Sequence, residues 1–82
     1  MPTATVLYFA QVRDRLGREQ ERLELPAVTT AAAILAALGA RHPQCAAAFA
    51  TCRVAVGCRF VAGEVALAED AEIAVIPPVS GG

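Results

Sequence analysis

Only one stretch of the chain has the composition of a sustained helix, and it is flanked on both sides by runs that read as strands. From Ala27 to Pro43 the sequence is A-V-T-T-A-A-A-I-L-A-A-L-G-A-R-H-P. Alanine and leucine are strong helix formers, and Ala31, Ile34, Leu35 and Leu38 recur at helical spacing. Thr29 or Thr30 can cap the start, because its hydroxyl can accept from a free backbone N–H of the first turn. Pro43 stops the element. Gly39 either weakens the last turn or permits close packing. Gln44 to Ala50 reads as one more helical turn. A helix of roughly three turns covers one face of a small sheet and no more. The remaining elements must be strands that share it.

Those strands can be placed. Thr5 to Ala10 (T-V-L-Y-F-A) is β-branched and aromatic. Gln11 to Gly17 is polar and ends in glycine, so it reads as a turn region. Glu21 to Leu25 alternates polar and apolar and suits a half-buried strand forming a hairpin with the first. Beyond the helix come Arg53 to Val56, a turn or bulge at Gly57, a short strand starting at Phe60 and Val61, a break at Gly63, and Val65 to Leu67. An acidic turn, Glu69 to Glu72, precedes the last strand, Ile73 to Ile76. Pro77 and Pro78 have no N–H for a sheet ladder, so the sheet must release the chain there. The reading is an α+β domain over residues 1–76, a mixed sheet with one main helix packed on one face, followed by a free tail at 77–82. This is the arrangement of a ubiquitin-like β-grasp, and the element order alone also fits other α+β folds.

Composition removes several function classes. A chain of 82 residues is one domain. It contains no run of roughly 18 apolar residues, so no membrane span is expected. Its first residues lack a basic region followed by an apolar stretch, so no signal peptide is expected and the location is read as cytoplasmic. Seven arginines and eight acids are scattered, net charge −1, without the basic cluster that nucleic acid requires. Lysine is absent. Cys45, Cys52 and Cys58 form no C-x-x-C pair and His42 stands apart, so no metal site is expected and the thiols read as reduced small hydrophobes.

The first and last strands are apolar on both faces. Val6 and Tyr8 alternate with Leu7 and Phe9; Ile73 and Val75 alternate with Ala74 and Ile76. One helix hides one set. The other set, joined by Phe60, is then open to a partner, since an exposed apolar patch on a small domain marks an interaction site. Loops covering the face, or strands buried on both sides, would be the alternatives.

The chain ends P-P-V-S-G-G. Six residues from Pro77 reach about 20 Å at most. Two prolines stiffen the root, and Gly81 and Gly82, lacking Cβ, can thread a narrow channel. The Gly82 carboxylate is a poor electrophile. As an acyl-adenylate it would acquire a leaving group, and sulfur attack would then give a thiocarboxylate. A terminal Gly-Gly alone is weak evidence, since linkers and frayed ends can look the same.

The ending I-P-P-V-S-G-G, with the opening Y-F-A-Q-V-R-D-R-L-G, resembles the small subunits of molybdopterin synthase. The resemblance spans the chain, although its middle matches in layout more than in residues. It implies a β-grasp fold with no bound cofactor. It also implies an E1-like adenylyltransferase partner that consumes ATP to adenylate Gly82, and a persulfide-based system that makes the thiocarboxylate. The tail then enters the large subunit of a heterotetramer and donates sulfur to cyclic pyranopterin monophosphate. Gly81 would keep the tail slender, and Phe9, Phe60, Ile76, Pro77, Pro78 and Val79 would line the partner interface. Ile76 replaces a commonly aromatic position. Arg13 belongs to the opening motif, as an ion pair with Asp14 or Glu72 or as a contact for an acidic partner. Other readings are a sulfur carrier for thiamine or nucleoside thiolation, and a β-grasp binding module whose tail is incidental. An iron–sulfur protein would need a fourth, suitably spaced cysteine.

Overall fold

The computed structural model describes residues 1–79. The chain begins with β1 (Thr3–Tyr8), turns through α1 (Ala10–Leu16) and returns as β2 (Gln20–Glu24). A short β3 (Val28–Thr30) leads into the main helix α2 (Ala31–Arg41). A single 3-10 turn, Pro43–Cys45, links it to α3 (Ala46–Ala50). The second half supplies β4 (Arg53–Val56), β5 (Arg59–Phe60), β6 (Glu64–Ala66) and β7 (Glu72–Ile76).

Five strands form one sheet in the order β2-β1-β7-β4-β5, and β3 pairs with β6 in a separate two-stranded sheet. The central pair β1–β7 is parallel, with Val6 opposite Ile73 and Tyr8 opposite Val75. A parallel pair requires a long crossover, here everything between the two strands. The other ladders are antiparallel, so the sheet is mixed as expected.

The helix starts where its capping chemistry places it. Thr30 Oγ1 accepts from the Ala33 N–H at 3.1 Å. Ile34 and Leu38, one turn apart, are fully buried against the sheet. At Gly39 a Cβ would lie 3.4 Å from the Ala46 Cβ, so the glycine lets α3 close on α2. Ile34 and Leu38 share one buried core with Val6, Tyr8, Val54, Ile73 and Val75 of the sheet, Val12 of α1 and Phe49 of α3.

Two local expectations change. The segment Gln11 to Gly17 is a helix, α1, rather than a turn. Its polar residues face solvent while Val12 is buried, and Leu16, four residues on, packs against the core. Gly17 ends it at φ 72°, its N–H donating to Arg13 O at 2.9 Å, the left-handed cap that glycine adopts at no steric cost. Consequently β1 and β2 pair antiparallel through a helix and not through a tight hairpin. The second change is at Val28 to Thr30, which forms β3 before the helix begins. The strand expected at Val65 to Leu67 lies one residue earlier, as its partner β6.

Candidate functional site

The faces of the sheet differ because strand side chains alternate. Helices cover the side bearing Val6, Tyr8, Val54, Ile73 and Val75. On the opposite side the described residues leave an open depression over part of the sheet. There the register sets Leu7 beside Ala74, Ala74 beside Ala55, and Ala55 beside Phe60. The two alanines are short, and they form the floor of a depression of about 420 Å³ rimmed by Phe9, Cys58, Phe60 and Ile76. Phe9 is 43% and Phe60 54% exposed, high values for side chains of this size in a small domain. Such a patch is the chemistry of a protein-docking surface.

Two turns present these residues. Phe9 follows β1 immediately, and Ala10 after it adopts φ 53°, a conformation unfavourable for a residue with a Cβ, which swings the chain into α1. Gly57 and Cys58 join β4 to β5 as a two-residue loop with φ 56° and 69°. Positive φ at both central positions is the I′ geometry of tight hairpins. It places Phe60 opposite Ala55 and leaves the Cys58 thiol exposed at the rim. Cys45 and Cys52 are buried and behave as the small hydrophobes expected, whereas Cys58 does not. Burial pushes the Cys52 thiol up from its ordinary range.

At the end of the face, Ile76 lies directly opposite Arg53 on β4. Pro77 is buried, so it anchors the chain to the domain. Pro78 and Val79 are exposed, Val79 at 90%. Ser80, Gly81 and Gly82, including the expected site of chemistry, lie outside the described residues. Arg13 Nε lies 3.7 Å from Asp14 Oδ1 with both side chains well exposed, an ion pair worth little. Among the described residues no three His, Cys, Asp or Glu side chains group as metal ligands. No described helix is long and apolar enough to cross a membrane.

A polar cluster on the covered face went unread in the sequence. Glu21 is only 8% exposed. Its carboxylate accepts from the Tyr8 hydroxyl and from Arg41 Nε at 2.8 Å, lies 2.6 Å from His42 Nε2, and pairs with Arg18 Nη1 at 3.3 Å. Burial raises the Glu21 pKa, but the hydrogen bonds from Tyr8, His42 and Arg41 outweigh it and hold the carboxyl at about 2. Burial, then the contact with Glu21, pushes the Tyr8 hydroxyl far above its usual range. The signal was available: Glu21, Leu23 and Leu25 share one phase of the alternation, which puts a charge on the inward face. His42, which looked solitary, is part of this cluster. It ties β2 to the end of α2 and is architectural in position, away from the open face.

Comparison with known proteins agrees with this geometry. The ThiS family model matches residues 6–82. The chain belongs to the ThiS family. It is 35% identical over 79 residues to the molybdopterin synthase sulfur carrier subunit of Chlamydomonas reinhardtii, covering 94% of this chain and 95% of that protein. Among solved structures, a Pyrococcus furiosus protein provisionally assigned as molybdopterin converting factor subunit 1 superposes with a TM-score of 0.79 at 25% identity, covering 96% of this chain and all of that one. SAMP1 from Haloferax volcanii superposes at 0.75 with 26% identity, covering 98% and 99%. This ThiS-family chain therefore has the ubiquitin-like β-grasp architecture expected of it, and its family is one of sulfur carriers.

Proposed function

We propose that the chain is the sulfur-carrying small subunit of molybdopterin synthase and that its working group is the Gly82 carboxylate. The observation that carries this reading is an open apolar face running up to the point where the P-P-V-S-G-G tail departs. The similarity to a molybdopterin synthase sulfur carrier subunit over almost the whole chain supports it.

The chemistry follows from what a carboxylate lacks. Attack of the Gly82 carboxylate on the α-phosphorus of ATP, held by an E1-like adenylyltransferase, releases pyrophosphate and leaves an acyl-adenylate. A persulfide sulfur then attacks the acyl carbon and AMP departs. A second thiol cleaves the resulting acyl disulfide, leaving a thiocarboxylate and oxidising the donor thiols to a disulfide. Inside the large subunit the thiocarboxylate sulfur attacks an oxygen-bearing carbon of cyclic pyranopterin monophosphate, and the C–O bond there breaks as the oxygen substituent leaves. Hydrolysis of the thioester so formed leaves sulfur on the pterin and returns Gly82 as a carboxylate. Each small subunit delivers one sulfur, so two are needed for a dithiolene, in keeping with a heterotetramer. Phe9, Phe60 and Ile76 hold the partner against the sheet, Pro78 and Val79 direct the tail outward, and Gly81 lets its end pass through a narrow entrance.

The test is to incubate the chain with ATP, a sulfur donor and the adenylyltransferase, then fragment the C-terminal peptide by mass spectrometry. Sulfur on Gly82 is expected, and transfer to the pterin should require the large subunit. An unmodified Gly82, with an adenylyltransferase active on another carrier, overturns the reading. The likeness to SAMP1 favours one alternative, a carrier serving a different acceptor; thiocarboxylate that forms but is never passed to the pterin would select it.

A further inference from the structure

We propose that Arg53 is the specificity-determining cation of the docking face, and that the partner meets it with a carboxylate set beside an apolar surface. The inference deepens the docking role given to this face above and rests on it.

Arg53 differs in position from every other arginine of the chain. Arg18 and Arg41 are engaged by Glu21, Arg22 by Asp70 at 2.7 Å, and Arg13 by Asp14. Arg15 lies on α1, away from the sheet ladder. Arg59 alternates with Phe60 along β5 and so projects from the other side of that strand. Arg53 shares the phase of Ala55 on β4, which places it on the open face. Among the described residues its guanidinium makes no ion pair and no side-chain hydrogen bond.

It is nevertheless held in place. The Arg53 Cζ lies 4.0 Å from the centroid of the Phe60 ring, a cation–π contact. A guanidinium resting on an aromatic ring keeps N–H donors free around its edge, able to take a carboxylate through two parallel hydrogen bonds. The ring also limits the conformations that docking would otherwise have to freeze out. The site is thus pre-ordered, cationic and unanswered among the described residues.

Its position gives the charge a use. Arg53 stands opposite Ile76 in the β4–β7 ladder, one residue before the buried Pro77. The apolar depression can hold a partner in more than one orientation, because hydrophobic contact is non-directional. A charge pair at one corner removes that freedom. Placed at the tail root, it fixes the direction in which the tail leaves toward the partner's active site.

The experiment measures binding of the molybdopterin synthase large subunit to the full chain and to Arg53→Ala, Arg53→Lys, Arg53→Glu and Phe60→Ala, each first shown to be folded by circular dichroism. Loss of the pair should weaken Arg53→Ala about 10-fold, and charge reversal should weaken Arg53→Glu about 100-fold, as like charges then face one another. Arg53→Lys should fall between the native chain and Arg53→Ala, since lysine keeps the charge and loses the fork. One Asp→Asn or Glu→Gln change on the large subunit should abolish the effect of Arg53→Ala. Equal affinities for the native chain and Arg53→Glu, with Phe60→Ala weakened, would overturn the role of Arg53 and leave the docking face standing. So would failure of every acidic substitution on the large subunit to couple with Arg53. No binding by the native chain would overturn the docking reading itself.

Discussion

His42 Nε2 lies 2.6 Å from a Glu21 carboxylate oxygen that also accepts from the Tyr8 hydroxyl. One acid thereby joins β1, β2 and the residue that follows α2. Among the described residues no buried side-chain polar atom lacks a hydrogen-bond partner, so the cluster is complete as well as buried. Completeness matters because a buried charge is tolerated only when its hydrogen bonds are made.

The sign of the pH dependence follows. Glu21 titrates at about 2 in the folded chain against an ordinary value of 4.5. A depressed carboxyl stabilises the fold above its unfolded pKa, and that contribution is lost as pH falls from about 4.5 toward 2. Urea unfolding of the native chain should show stability falling across that window. Glu21→Gln should be less stable by roughly 2–4 kcal/mol at pH 7, with a flatter acid limb. Equal slopes for the two chains would show that Glu21 is not the group responsible.

Helix α1 depends on one buried side chain, Val12, which is 1% exposed. Val12→Ala removes two methyl groups from the core and should cost roughly 1–2.5 kcal/mol in chemical denaturation. The exposed neighbour substitution Gln11→Ala should change stability by no more than about 0.5 kcal/mol. Equal effects at both positions would mean that α1 is not docked through Val12.

The three thiols should separate by reactivity. Iodoacetamide added to the folded chain should alkylate Cys58 first, because Cys45 and Cys52 are buried. Unfolding in urea should expose all three, counted by peptide mass spectrometry. Since Cys58 lines the same depression as Phe9, Phe60 and Ile76, the bound large subunit should slow its alkylation. Unchanged alkylation in the complex would place the partner elsewhere on the domain.

Local chemistry settled much of this protein from the sequence alone. The alanine-rich run from Ala31, with a threonine before it and Pro43 after it, can form little other than a helix. Val6, Tyr8, Ile73 and Val75 alternate with Leu7, Phe9, Ala74 and Ile76, so two apolar faces follow from strand geometry. The prolines at 77 and 78 end the ladder because they have no N–H to offer. Tertiary structure decided what depends on partners distant in sequence. Gln11 to Leu16 looked like a turn because its polar residues outnumber Val12 and Leu16, and only the core against which these two pack makes it a helix. Glu21 became a buried anchor because folding brought Tyr8, Arg41 and His42 around it, which no local pattern encodes. The antiparallel registers of β4 with β7 and with β5, which join segments distant from one another or turned through Gly57, set Arg53, Phe60 and Ile76 together on the face the core does not use.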